Sequence, residues 1–163
     1  IEVNSKKNVG TDIKVCMTFA IGEEIKYDNP AENHFSLEGL RALVVEDNEL
    51  NTEVVKFFLE NNGIIVDCVE DGVQALECFE KSNPGYYAMI LMDVLMPRMN
   101  GLEATRRIRT LQRKDASSIP IIALSANAFS DDIMRGKLAG MNDYLAKPLD
   151  EKLLIRTIRK CLK

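Results

Sequence analysis

The chain has 163 residues, 46 % hydrophobic and 28 % charged, which suits one globular domain with a full core and about 40 residues besides. A net charge of −4 leaves no electrostatic footprint for nucleic acid. No apolar run reaches the ~18 residues of a membrane span and the N-terminus lacks a charged-then-apolar leader pattern, so a cytoplasmic placement is expected.

The first stretch, Ile1 to Ser5, turns through Lys6–Gly10 and continues from Thr11 to Ala20 with Ile13, Val15, Met17 and Phe19 in strict alternation. This predicts a β-hairpin with one buried face. The spacing Ser5, Gly10, Thr11 followed by alternating residues resembles the last two strands of the ATP-binding domain of sensor histidine kinases. Residues 1–22 are therefore expected to be the end of such a domain. The boxes that bind ATP would lie upstream of Ile1, so this chain by itself is expected to lack kinase activity. Residues 23–39 lose all periodicity and turn polar, which predicts a linker. His34, the only histidine, falls there without an amphipathic helix around it and is read as a linker residue rather than a phosphorylated one. The four cysteines, Cys16, Cys68, Cys78 and Cys161, form no CxxC pair or metal-ligand spacing and are expected to be reduced core thiols.

From Leu40 onward strands and helices alternate. Leu40 to Val45 is an apolar strand ending in Glu46-Asp47, and Leu50, Val54, Phe57, Phe58 and Asn61 mark the helix that follows. Ile64 to Val69 is the second strand, and the helix over 71–81 points Val73, Leu76 and Phe79 inward. The apolar run Met89 to Met92 stops at Asp93, and Pro97 prevents its continuation. A third helix carries Leu102, Thr105, Ile108 and Leu111. Pro120 to Leu124 ends at Ser125, and the next helix holds Phe129, Ile133, Met134 and Leu138. A short strand over 140–145 closes at Ala146-Lys147-Pro148, and the last helix, 150–162, places Leu153, Leu154, Ile158 and Leu162 on one face. Five such units in residues 40–163 predict an α/β fold, an open parallel sheet with helices on both faces.

Ligands of such sheets bind outside the carboxyl ends of the strands. One rim should thus carry Glu46, Asp47, Asp93, Ser125 and Lys147. Three carboxylates that close repel by on the order of several kcal/mol unless a cation sits among them. A hard divalent ion with oxygen ligands, Mg²⁺, is the cofactor this implies. Such an ion can hold phosphoryl oxygens while the Asp93 carboxylate attacks phosphorus, with Ser125 donating to one oxygen and Lys147 pairing with another. A phosphatase using an aspartyl nucleophile would want a second acid two residues after Asp93, where Leu95 stands.

Together, Val44-Val45-Glu46-Asp47-Asn48 with Asn51, Met92-Asp93-Val94-Leu95-Met96-Pro97 with Gly101, Leu124-Ser125-Ala126, and Tyr144-Leu145-Ala146-Lys147-Pro148 resemble the receiver domain of response regulators. They look most like receivers fused to hybrid sensor histidine kinases. The resemblance implies a flavodoxin-like fold with strand order 2-1-3-4-5 over residues 40–163. It implies an acidic metal pair at Glu46 and Asp47, a phosphoacceptor at Asp93, and Mg²⁺ bound by Asp47, Asp93 and the backbone carbonyl of Leu95. It implies Ser125 and Tyr144 as switch residues and Lys147 as the lysine that stabilises transferring charge. The implied partners are a phosphohistidine-bearing kinase or phosphotransfer domain as donor, a downstream phosphotransfer protein, and a second copy through the Tyr144 face. The alternative is a phosphorylation-silent receiver acting as an interaction module. Glu46 stands where the family more often has Asp, which lengthens one arm of the acidic pair. Leu95 stands where a polar residue often influences attacking water, so slow loss of the phosphoryl group is expected.

Overall fold

The computed structural model describes residues 1–16, 36–126 and 130–163. The chain divides into two compact units, Ile1–His34 and Phe35–Lys163. In the first, strands β1 (Glu2–Lys6) and β2 (Gly10–Lys14) pair antiparallel, with Val3 opposite Ile13 and Ser5 opposite Thr11. The turn places Asn8 at φ 62°, a conformation that asparagine tolerates better than most side chains. The hairpin is present, but the expected buried face is not: Val3, Ile13 and Val15 are exposed. Two strands have no second layer of their own to cover the apolar side. The remainder of the alternating run, from Met17, and the linker histidine His34 lie outside the described residues.

The second unit alternates β3 (Arg41–Val45), α1 (Glu49–Glu60), β4 (Ile65–Val69), α2 (Gly72–Lys81), β5 (Met89–Asp93), α3 (Gly101–Thr110), β6 (Ile121–Ser125), α4 (Ser130–Ala139), β7 (Asp143–Ala146) and α5 (Glu151–Cys161). The strands form one parallel sheet in the order β4-β3-β5-β6-β7, the expected 2-1-3-4-5 pattern. The order reverses between β3 and β5, so the crevice of the sheet opens between Val45 and Asp93. Because β3, β5 and β6 are covered on both faces, they are continuous apolar runs rather than alternating ones. Leu43, Val45, Ile90, Met92, Ile121 and Ala123 face one core with Phe79 and Ile108 of α2 and α3. Ala42, Val44, Met89, Leu91, Ile122 and Leu124 face the other, with Val55 and Leu59 of α1 and Leu154 and Ile158 of α5. Leu37 packs into this second core, ahead of the first strand.

Helix starts follow capping chemistry. Asn48, Asp71, Asn100 and Asp150 each accept a backbone N–H from the first turn of α1, α2, α3 and α5. The buried faces are less regular than the apolar spacing suggests. On α1, Val55 and Leu59 are buried whereas Leu50 and Phe57 are 69 % and 61 % exposed. On α4, Gly136 and Ala139 face inward, and Met134 and Leu138 are exposed; Phe129 lies outside the described residues. A Cβ on Gly136 would fall inside the Tyr144 phenol, so the ring occupies the space against which a larger residue of α4 would pack. Leu153 of α5 is likewise half exposed while Ile155 is buried. The cysteines are free thiols, but not core ones: Cys16 and Cys68 are exposed, Cys78 and Cys161 intermediate. Cys68 lies on the edge strand β4, where one side of the sheet ends.

The rim at the amino ends of the strands is tied by arginines. Arg109 donates to the carbonyls of Gly140 and Ala116 and to Asn142 Oδ1, at 2.8 to 3.0 Å. Arg113 pairs with Asp115 at 2.6 and 2.9 Å, lies over the Phe79 ring and donates to the Phe79 and Ser82 carbonyls. Asp115 also accepts from Gly85 N at 2.8 Å. The Arg113 guanidinium beside Asp115, opposed by partial burial and aided by Gly85 N–H, holds its carboxyl down at about 2. The unfolded value is about 3.9. A depressed folded value means the contribution is complete above the unfolded pKa and is lost as pH falls toward 2. Asp115→Asn should therefore lower stability near neutral pH, and the difference from the unsubstituted chain in urea unfolding should shrink as pH falls below the unfolded pKa and through about 2.

Candidate active site

The carboxyl ends of β3, β5, β6 and β7 bring the expected residues to one rim. Asp93 is the last residue of β5 and shares the sheet face of Met89 and Leu91. Glu46 follows β3, its amide held by the Val69 carbonyl at 3.0 Å. Lys147 follows β7, its amide held by the Ser125 carbonyl at 2.8 Å. Continuing the strand alternation puts Glu46 and Lys147 on the same face as Asp93. Lys147 Nζ donates to Glu46 Oε2 at 2.5 Å and to Asp93 Oδ2 at 2.7 Å. Glu46 and Asp93 are both buried.

Two buried carboxylates this close are tolerable only with a cation between them. Burial works against charge on Lys147, but its hydrogen bonds to Asp93 and Glu46 outweigh that, and its pKa lies above that of an ordinary lysine. The ammonium therefore stays charged at physiological pH. Asp93 Oδ1 accepts from Leu95 N at 3.2 Å, which folds the chain back immediately after the strand. Both Asp93 oxygens are thus oriented by donors.

Glu46, Asp47 and Asp93 each offer an oxygen within 4.8 Å of the others. An all-oxygen carboxylate set suits a hard divalent ion such as Mg²⁺. Within the trio the roles differ. Both Glu46 oxygens are engaged, one by Lys147 and the other by Asn51 Nδ2 at 2.9 Å, whereas Asp47 is exposed. Asn51 is a site residue whose role the sequence leaves unread. It sits in the Glu-Asp-Asn-x-x-Asn stretch, but only the folded first turn of α1 turns it back onto Glu46.

Ser125 and Tyr144 lie on the opposite face. Ser125 ends β6 in the alternation of Ile121 and Ala123 and is buried. Tyr144 pairs in register with Ala123 on the adjacent strand, so the two side chains share that face. The Tyr144 hydroxyl donates to Met141 Sδ at 3.5 Å, and its ring fills the notch at Gly136. Burial, with the Asp132 charge adding to it, pushes the phenol above its usual pKa. Glu46, Asp93 and Lys147 thus converge directly, Asp47 joins them at the mouth, and Ser125 and Tyr144 line the α4 side. Removing the bridging ammonium should be costly: Lys147→Ala is expected to lower stability by about 3 kcal/mol at neutral pH, read from denaturant unfolding.

Comparison with known proteins agrees with this geometry. Residues 42–159 match the family model of the response regulator receiver domain. The chain is 37 % identical over 131 residues to the peroxide stress-activated histidine kinase mak1 of Schizosaccharomyces pombe, covering 80 % of this chain and 8 % of that protein. It is 38 % identical over 120 residues to hybrid signal transduction histidine kinase I of Dictyostelium discoideum, covering 72 % and 7 %. The chain therefore spans less than a tenth of these relatives. Among solved structures it resembles the receiver domain of a sensor histidine kinase from Pseudomonas aeruginosa, which holds a magnesium ion in its active-site cleft. That match has a TM-score of 0.69 and 40 % identity, covering 76 % of this chain and 98 % of the other. It also resembles a Saccharomyces cerevisiae structure, the receiver domain of Ssk1 in complex with the histidine phosphotransfer protein Ypd1. Here the TM-score is 0.68 and the identity 28 %, over 76 % and 89 % of the two chains. Since the family model takes in well over half of the sequence and the sheet order and rim accord with it, this chain belongs to the receiver domains of two-component signalling.

Proposed function

We propose that this receiver takes a phosphoryl group from phosphohistidine onto Asp93 and that the resulting acyl phosphate is read through Ser125 and Tyr144. The observation that carries the reading is the Lys147 bridge to Asp93, with the open carboxylate of Asp47 beside it. Asp47, Asp93 and the backbone carbonyl of Leu95 would hold Mg²⁺. Bound there, the ion neutralises charge on the phosphoryl oxygens. One Asp93 oxygen forms the bond to phosphorus while the phosphorus–nitrogen bond of the donor breaks, and the donor imidazole keeps the electron pair. Lys147 can move from the Asp93 carboxylate to a phosphoryl oxygen without leaving Glu46, because it already holds both.

Once Asp93 carries the group, Ser125 donates to another of its oxygens and draws the end of β6 inward. Tyr144, two residues back on the neighbouring strand and on the same face, follows. The surface that changes is that of α4, β7 and α5, which offers the exposed apolar residues Met134 and Leu138 to a second copy or an acceptor. The donor has a different approach. Leu50, Val54 and Phe57 form an exposed apolar stripe on α1, the helix whose Asn51 touches the site. We assign the chain to the cytoplasmic part of a hybrid histidine kinase, with residues 1–22 as the end of its ATP-binding domain and residues 40–163 as the receiver.

Intact mass after incubation with a small phosphodonor and Mg²⁺ tests the central step. One phosphoryl adduct is expected, absent with Asp93→Asn and with EDTA. A folded, Mg²⁺-binding chain that takes no adduct would identify the silent interaction module instead. For the donor face, Phe57→Ala should slow transfer from a phosphorylated histidine phosphotransfer domain about tenfold. Labelling by the small phosphodonor should be unchanged.

A further inference from the structure

Between Asp93 and α3 the chain runs through Val94 to Asn100, and the two ends of this loop are secured differently. At its far end Gly101 N donates to the Val94 carbonyl at 3.1 Å, and Asn100 caps α3 through Glu103 N at 2.9 Å. In its middle the Leu95 side chain is 70 % exposed, while Leu95 N donates to Asp93 Oδ1 at 3.2 Å and Val94 and Met96 on either side pack against the core. A further hold on the loop, at Met99, is the start of α2. Gly72 N donates to the Met99 carbonyl at 3.1 Å, and a Cβ on Gly72 would come 2.7 Å from that oxygen and 2.8 Å from Ala104 Cβ. The first residue of α2 therefore lies in direct contact with the loop.

Asp71 stands immediately before it and is fully buried. Its Oδ1 accepts from Val73 N at 2.8 Å and Gln74 N at 2.9 Å, which completes the cap. A neutral asparagine or serine would serve that purpose. The second oxygen, and with it a full buried charge, needs another reason. Oδ2 lies against the Arg98 guanidinium as an ion pair, without a directed hydrogen bond. Arg98 itself has φ 61°, a left-handed backbone that a long side chain rarely adopts. An arginine at a position suited to glycine and a charge at a position suited to asparagine meet each other, and only Pro97 and Met96 separate Arg98 from Leu95.

We propose that Asp71 and Arg98 form a positioning clasp that fixes the Val94–Asn100 loop and so presents the Leu95 carbonyl to the divalent cation. The proposal rests on the reading of Leu95 as a ligand. Neither clasp residue touches the ion; both act through the loop backbone, as outer partners of a metal site do.

The test is calorimetric titration of the full chain with Mg²⁺ alone, beside thermal unfolding without metal. Arg98→Gly relieves the backbone while deleting the guanidinium, and Asp71→Asn keeps the helix cap while deleting the charge. Each should weaken Mg²⁺ binding about tenfold. The double variant should be no weaker than either single one, because the two residues act as a unit. Arg98→Lys should recover most of the affinity. Unchanged Mg²⁺ affinity in both single variants, with only the unfolding temperature lowered, would overturn the clasp and leave a structural cap. Additive losses in the double variant would overturn it too. Asp47→Asn separates the two levels. If the unsubstituted chain binds no Mg²⁺, or Asp47→Asn binds as well as it does, the metal-site reading fails and the clasp with it. If Asp47→Asn alone abolishes binding, only the clasp is lost.

Discussion

The ammonium of Lys147 between Glu46 and Asp93 is the contact on which the rim depends. Its two partners come from different strands, and β3 and β7 are three strand spacings apart, about 14 Å. Only long side chains leaning toward each other close that gap. This gives the glutamate at 46 a physical purpose: its extra methylene lets Oε2 reach the lysine while Oε1 rests on Asn51. The same reach takes Glu46 out of free competition for a cation, which leaves Asp47 as the accessible member of the acidic pair. A buried charge cluster of this kind contributes little net stability, but it orients the Asp93 carboxylate inside an apolar sheet.

The sheet separates the rim residues into two sets. Glu46, Asp93 and Lys147 project on the side of α1 and α5, while Ser125 and Tyr144 project on the side of α4. Gly136 and Ala139 keep the helix surface shallow there, and the Tyr144 ring lies in the resulting notch. At the other rim, Arg109 and Arg113 bind loops together with multiple hydrogen bonds, which leaves the carboxyl ends as the place where loops can respond.

Strand identity and the polar residues at the strand ends were legible because a parallel sheet buried on both faces demands unbroken apolar runs, and each run here stops at a polar residue. The helix faces were less so. Leu50, Val54 and Phe57 repeat at helical spacing and so do Val55 and Leu59, and periodicity cannot tell which stripe meets the sheet. On α4 the inward positions are glycine and alanine, residues that carry no hydrophobic signal. In the hairpin, alternation was real, but alternation alone does not supply a layer to bury against.

What the sequence by itself determined is the order of elements and the set Glu46, Asp47, Asp93, Ser125 and Lys147 at strand ends. These are local properties, written in runs of neighbouring residues. Only the tertiary structure decided which of them touch. That Lys147 spans to Glu46, that Asn51 turns back onto the same carboxylate, and that Asp71 meets Arg98 are contacts across 101, 5 and 27 positions of chain. Those contacts depend on strand order and sheet twist, which are set by the packing of all the helices at once, and no stretch of sequence contains that information alone.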